Sequence, residues 1–218
     1  MALTKYNFNS FDVTSAASKA LGFNSSANGF TTIDPGSMTL IKTLTASSSN
    51  TISFVNGSSD VVLDSTYPVY LFKYISIHPS GDGTDLQINF RDGSTAYDAT
   101  KTTTAFRAYH NEAGNDTTLS YQTSWDLAQG TGVQLISHGI DNDNDGSASG
   151  KLYLFNPSST TFVKHFISIS NAMNGTYSHQ NFIAGYCNVT AAIDAVQFSM
   201  SSGDIDAGTI KLYGIKDS

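Results

Sequence analysis

The stretch Gly208-Thr209-Ile210-Lys211-Leu212-Tyr213-Gly214-Ile215-Lys216 alternates apolar and polar side chains. Ile210 and Leu212 fall on one face and Lys211 and Tyr213 on the other, as in a β-strand with one side in a core. Ala195-Val196-Gln197-Phe198-Ser199-Met200 alternates in the same way, and the residues between, Ser201 to Ala207, are rich in turn formers. The pattern predicts a closing pair of strands.

Upstream, similar segments recur. Leu86, Ile88 and Phe90 alternate with Gln87, Asn89 and Arg91, the clearest one-face-buried strand in the chain. Pro68 to His78 is apolar on both faces, which predicts a central strand. Met38–Leu44 and Thr51–Val55 read as a hairpin about Ala46–Asn50. Further strands are expected over Thr104–His110, Gly132–Ile140, Lys151–Phe155, Phe162–Ile169 and Phe182–Val189. Short strands at even spacing with Gly, Asn and Asp turns predict an all-β, two-sheet antiparallel sandwich. A jelly roll is the first expectation and an immunoglobulin-like sandwich the second.

Composition agrees. Only 13% of the 218 residues are charged, about half the ordinary share, and Ser, Thr, Asn and Gly take their place. Glu112 is the only glutamate among 18 acidic residues. Aspartate suits turns, where it bonds its own backbone, and disfavours long helices. A net charge of −7 with only 11 scattered basic residues argues against a nucleic-acid surface. No apolar run approaches the roughly 20 residues of a spanning helix, so membrane insertion is not expected, and no secretory leader is visible at the start. Cys187 stands alone and is expected to be a buried, inert thiol.

Residues 1–36 differ from the rest and read as an N-terminal arm, with residues 37–218 as the sandwich domain. Asp12 to Gly22 is the best helical candidate, at most a short helix over about Thr14–Leu21, capped by Asp12 or Thr14 and ended by Gly22. Around it, Tyr6, Phe8, Phe11, Phe23 and Phe30 are spaced among small polar residues. Such aromatics need a surface to bury against, in this domain or on a neighbouring subunit, which makes them candidate assembly residues.

Candidate chemistry is sparse. Asp141-Asn142-Asp143-Asn144-Asp145-Gly146 reproduces the first half of a calcium loop, with carboxylates at alternate positions and Gly at the sixth. The twelfth position is Leu152, which supplies no carboxylate, so a polar hairpin tip is the favoured reading and calcium at Asp141, Asp143 and Asp145 the alternative. No other cofactor is expected. No two histidines have metal-ligand spacing, and His165, beside Val163, Ile167 and Ile169, reads as a core or interface residue. Nucleophile elbows, zincin motifs and phosphate loops are missing, and no facing carboxylate pair can be assigned, so an enzyme is not expected. Trp125, Tyr121 and Tyr97, near Asp98, Asp126 and Gln129, are the candidates for stacking a sugar ring.

The segments Asp64-Ser65-Thr66-Tyr67-Pro68-Val69-Tyr70-Leu71-Phe72-Lys73, Tyr97–Thr104, Phe155–His165 and Gly208–Lys216 resemble virion structural proteins of marine tailed phages, cyanophages especially. Strand modules similar to the last of these end phage fibre and appendage proteins. The resemblance implies a non-enzymatic particle component, a head decoration or a fibre-like appendage, located on the virion after synthesis in the host bacterial cytoplasm. Its partners would be other virion proteins and copies of itself, a trimer first among the homo-oligomers. The alternative is a receptor- or carbohydrate-binding module of a tail fibre that meets a host surface glycan. The family lends no functional-residue motif.

Overall fold

The structure, a computed structural model, describes residues 20–27, 29–33 and 36–216. The chain divides into two compact units, residues 1–39 and Leu40–Asp217. The division falls at Thr39, where the sequence suggests an arm ending at 36.

In the first unit, β1 (Ala20–Phe23) pairs antiparallel with β2 (Phe30–Ile33). The turn between them closes through Asn24 N–H donating to Gly29 O and Ala27 N–H to Asn24 O. Phe23 and Phe30 are cross-strand partners, with rings stacked 5.1 Å apart. The expected short helix is corrected where it can be seen: Ala20 and Leu21 lie in β1, and residues 14–19 fall outside the described residues. Leu21, Phe23, Phe30 and Ile33 suit a strand pair.

The second unit holds β3 (Met38–Thr45), which spans the division, β4 (Thr51–Val55), β5 (Val69–Pro79), β6 (Thr84–Arg91), β7 (Lys101–Asn111), β8 (Thr117–Tyr121) and β9 (Gln134–Ile140). It continues with β10 (Ala148–Phe155), β11 (Lys164–Asn174), β12 (Tyr177–Cys187), β13 (Ala195–Met200) and β14 (Ile205–Ile215). One sheet has the order β3-β14-β5-β10-β11-β12-β7-β8 and the other β4-β13-β6-β9. All the pairings given by register are antiparallel.

This is a jelly roll with insertions. Four strands in the order β3-β14-β5-β10 face four in the order β4-β13-β6-β9, the two interlocked Greek keys of that fold. The hairpins β7–β8 and β11–β12 widen the first sheet beyond β10. Two expectations are corrected. Met38–Leu44 and Thr51–Val55 are not a hairpin, and Ala195–Met200 and Gly208–Lys216 are not paired, because each couple is divided between the two sheets. Ala46, Ser48 and Ser49 donate their N–H groups to Gly208 O, Asp206 O and Ile205 O, so the connection runs along β14 before crossing.

The core lies between the sheets. Leu86, Ile88, Phe90, Ile210 and Leu212 are all fully buried, on the faces that their alternation indicates. Phe54, Phe72 and Phe198 meet edge-on or tilted at 5.3–6.2 Å, the offset geometry that aromatic rings prefer. Two residues with positive φ, Ser76 (φ 50°) and Gly208 (φ 117°), kink β5 and β14 where their register shifts.

Candidate docking face

Strand residues alternate in direction, so the register fixes what the large sheet presents away from its partner. One continuous rung crosses seven strands: Lys211, Lys73, Lys151, Ile169, Phe182, Phe106 and Tyr121. The next rung is Tyr213, Leu71, Tyr153, Ile167, Ala184 and Thr104. Phe106 and Phe182 stack at 4.7 Å, yet Phe106 remains 40% exposed, Ile167 43% and Leu119 72%. From the bulge at Gly208 to the β8 edge, no described strand residue on this face is an aspartate or glutamate.

The face is therefore half apolar and half cationic. Lys73 lies 5.0 Å over the Tyr213 ring and Lys151 5.5 Å over Tyr153, cation–π contacts that partly offset three ammonium groups set side by side. A shallow depression of about 350 Å³ is lined by Lys73, Ile75, Ser149, Lys151, Asn171 and Gln180. A second, of about 380 Å³, runs past Ile167, Ala184 and His165. His165 is thus a surface residue of this face, edge-on to Tyr186 at 6.0 Å, rather than a core one.

Beneath the face lie polar groups that no local pattern marks. Lys101 and Lys164 flank Cys187 on neighbouring strands, and all three side chains are buried. Lys101 Nζ donates to Asn89 Oδ1 at 2.6 Å and Ala99 O at 2.7 Å, and Lys164 Nζ to Val189 O at 2.6 Å and Ser159 O at 3.2 Å. Loss of water pushes Lys101 down to about 8 and Lys164 down as well, and pushes the Cys187 thiol up to about 12. These ammonium groups tie loop carbonyls to the sheet, and the thiol is inert.

At the other end of the sheets His138, His179, Trp125 and Arg107 form a cluster. The two imidazoles lie parallel at 5.8 Å, Trp125 packs on His138 at 4.5 Å, and Arg107 lies 5.3 Å over the indole. His138 Nδ1 meets Asp85 Oδ1 at 2.9 Å, and the same oxygen accepts Gly139 N–H at 2.8 Å. Burial first, then Arg107 and His138, hold His179 down to about 4. His179 Nδ1 and Arg107 Nε are buried without hydrogen-bond partners.

The other candidates fall apart in space. Trp125 is half-buried against the core rather than open, and Gln134 Nε2 donates to its carbonyl at 2.9 Å. Tyr121 donates to Asp126 at the β8 edge, while Tyr97 stands 6.0 Å from Arg91, on the four-stranded sheet. Asp141 is buried and spent on backbone: Oδ1 accepts Asp143 N–H at 3.0 Å and Oδ2 accepts Gly175 N–H at 2.7 Å. Those bonds hold its carboxyl below the usual range. Among the described residues no three His, Cys, Asp or Glu side chains are grouped to hold a metal ion, so Asp141, Asp143 and Asp145 do not converge. Of the arm aromatics, Phe23 is 69% and Phe30 37% exposed, and Tyr6, Phe8 and Phe11 lie outside the described residues.

No family model matches the chain, and no curated protein matches it. Among solved structures it is similar to one described as the crystal structure of infectious bursal disease virus VP2 subviral particle, at 11% identity over 92% of this chain and 46% of that one. The chain thus spans under half the length of that protein, and a TM-score of 0.13 is too slight to bear on fold or function.

Proposed function

We propose that this chain is a non-enzymatic structural subunit of a tailed-phage particle, carried on the outside as a head decoration or fibre-like appendage. The observation that carries the reading is the outer face of the eight-stranded sheet, where Phe106, Phe182, Ile167, Ile169 and Leu119 lie on adjoining rungs with no carboxylate among them. A broad apolar patch on one face is the ordinary mark of a protein-docking surface. The resemblance of Asp64–Lys73, Tyr97–Thr104, Phe155–His165 and Gly208–Lys216 to phage virion proteins suggests the setting. The glycan alternative has less support at its original residues, because Trp125 is packed between His138 and Arg107 and Tyr97 lies apart, in the loop after β6 beside Arg91.

The test is immunogold electron microscopy on intact particles, with antibody raised against the folded chain. We expect label at fixed positions on the virion, and loss of that label in particles carrying Phe106→Asp with Phe182→Asp. Label absent from particles while the protein accumulates free in the lysate would overturn the reading.

A further inference from the structure

Lys211, Lys73 and Lys151 occupy three neighbouring strands in direct register. Like charges directly opposite one another destabilise a sheet. Neighbouring strands lie about 4.8 Å apart, and no described strand residue of the same face is a carboxylate that could answer them. The cation–π contacts with Tyr213 and Tyr153 offset part of the repulsion, and an anion from outside would relieve the rest.

The same molecule carries such an anion. The turns between β5 and β6, β9 and β10, and β13 and β14 come together at one end of the sandwich. Ser80 N–H donates to Asp204 O at 3.0 Å, Asp204 N–H to Ser80 Oγ at 2.8 Å, and Asn142 Nδ2 to Ser80 O at 3.4 Å. Asp82, Asp143 and Asp145 are exposed there, with Asp204 and Asp206 half-buried beside them, and these turns contain no lysine or arginine. Two features of opposite sign thus sit on one rigid body, facing different directions.

We propose that the lysine ladder of one copy docks on the acidic loop end of a second copy. Such a contact is heterologous: the two surfaces differ, so repetition builds a ring if the rotation closes and a filament if it does not. It rests on the structural-subunit reading and names one partner within it.

The experiment is a paired charge reversal in the full chain. One variant carries Lys73→Glu, Lys151→Glu and Lys211→Glu; the other carries Asp82→Lys, Asp143→Lys and Asp145→Lys. The first keeps a like-charged ladder, so its melting temperature controls for folding. Sedimentation velocity at low ionic strength should show wild-type self-association that weakens with added salt. Each variant alone should associate roughly tenfold or more weakly, given three charge pairs lost at partly exposed positions. Mixed one to one, the two should recover association by alternating, since each then offers the other an opposite charge.

A wild-type chain that stays monomeric at about 100 μM in low salt overturns the proposal, as does a mixture that recovers nothing. Binding of the monomeric wild type, but not of the lysine variant, to an acidic glycan or to another virion protein would assign the ladder to that partner instead. Immunogold label on particles whose subunit is monomeric in solution would defeat the second-copy contact and leave the structural reading standing.

Discussion

Lys101 shows how a single side chain can escape notice and still shape behaviour. Alternation along Leu86–Arg91 places Asn89 on the solvent face, yet Asn89 is buried because its amide oxygen receives Lys101 Nζ. Nothing in the local pattern marks a partner 12 residues away, whereas the apolar partners Leu86, Ile88 and Phe90 are legible from period alone. The buried amine has a consequence for pH. Its folded pKa of about 8 lies below the ordinary 10.5 of a lysine, so between those values the unfolded chain holds a proton that the folded chain has lost. Stability then rises with pH. We expect a gain of about 1 kcal/mol from pH 8 to pH 9. It should reverse above pH 9 to 10, where Cys187 and Tyr70, both raised to about 12, keep protons that the unfolded chain sheds. Chemical denaturation across this range tests it: Lys101→Met should remove the rise, and an unchanged slope would show that the amine is hydrated.

Strands were easier to read than their partners. Period-two alternation located the interiors of β6, β13 and β14, but Ala46–Asn50 and Ser201–Ala207 look like hairpin turns whichever sheet the next strand joins. A jelly roll sends successive strands to opposite sheets, and only the long-range ladder decides that. The β5–β14 pair carries its own local requirement. A Cβ on Gly208 would come within 2.6 Å of Ser76 O and 2.9 Å of Ile77 Cα, at a φ of 117°. Gly208→Ala should therefore cost about 1–3 kcal/mol and loosen the β5–β14 ladder. Hydrogen exchange at Thr209 and Ile210 would report the loosening, and a neutral substitution would mean that the bulge relaxes freely.

At the scale of the whole molecule, fold class was legible from composition and turn spacing, while the docking face was not. Its rungs join residues from Leu71 to Tyr213, so the lysine row exists only once β14, β5 and β10 are in register. The buried core draws on residues from Ala46 to Leu212, with Ile41 and Leu44 beside it. A chain beginning at residue 37 should thus fold alone, with an unchanged far-ultraviolet spectrum and a melting temperature within a few degrees. Aggregation or a lost cooperative transition would place the arm in the fold's own core. The eight-stranded sheet has one more effect. Adjacent strands rotate by roughly 20–25°, so the four steps from β5 to β7 turn the local surface normal through about 80–100°. At that pitch Lys73 and Phe106 would look outward at nearly right angles, as on two walls of a saddle, with Lys151 and Phe182, two strands apart, between them. A single flat neighbour could cover one wall or the other, and two neighbours could each take one, so that one subunit would act as a corner-piece.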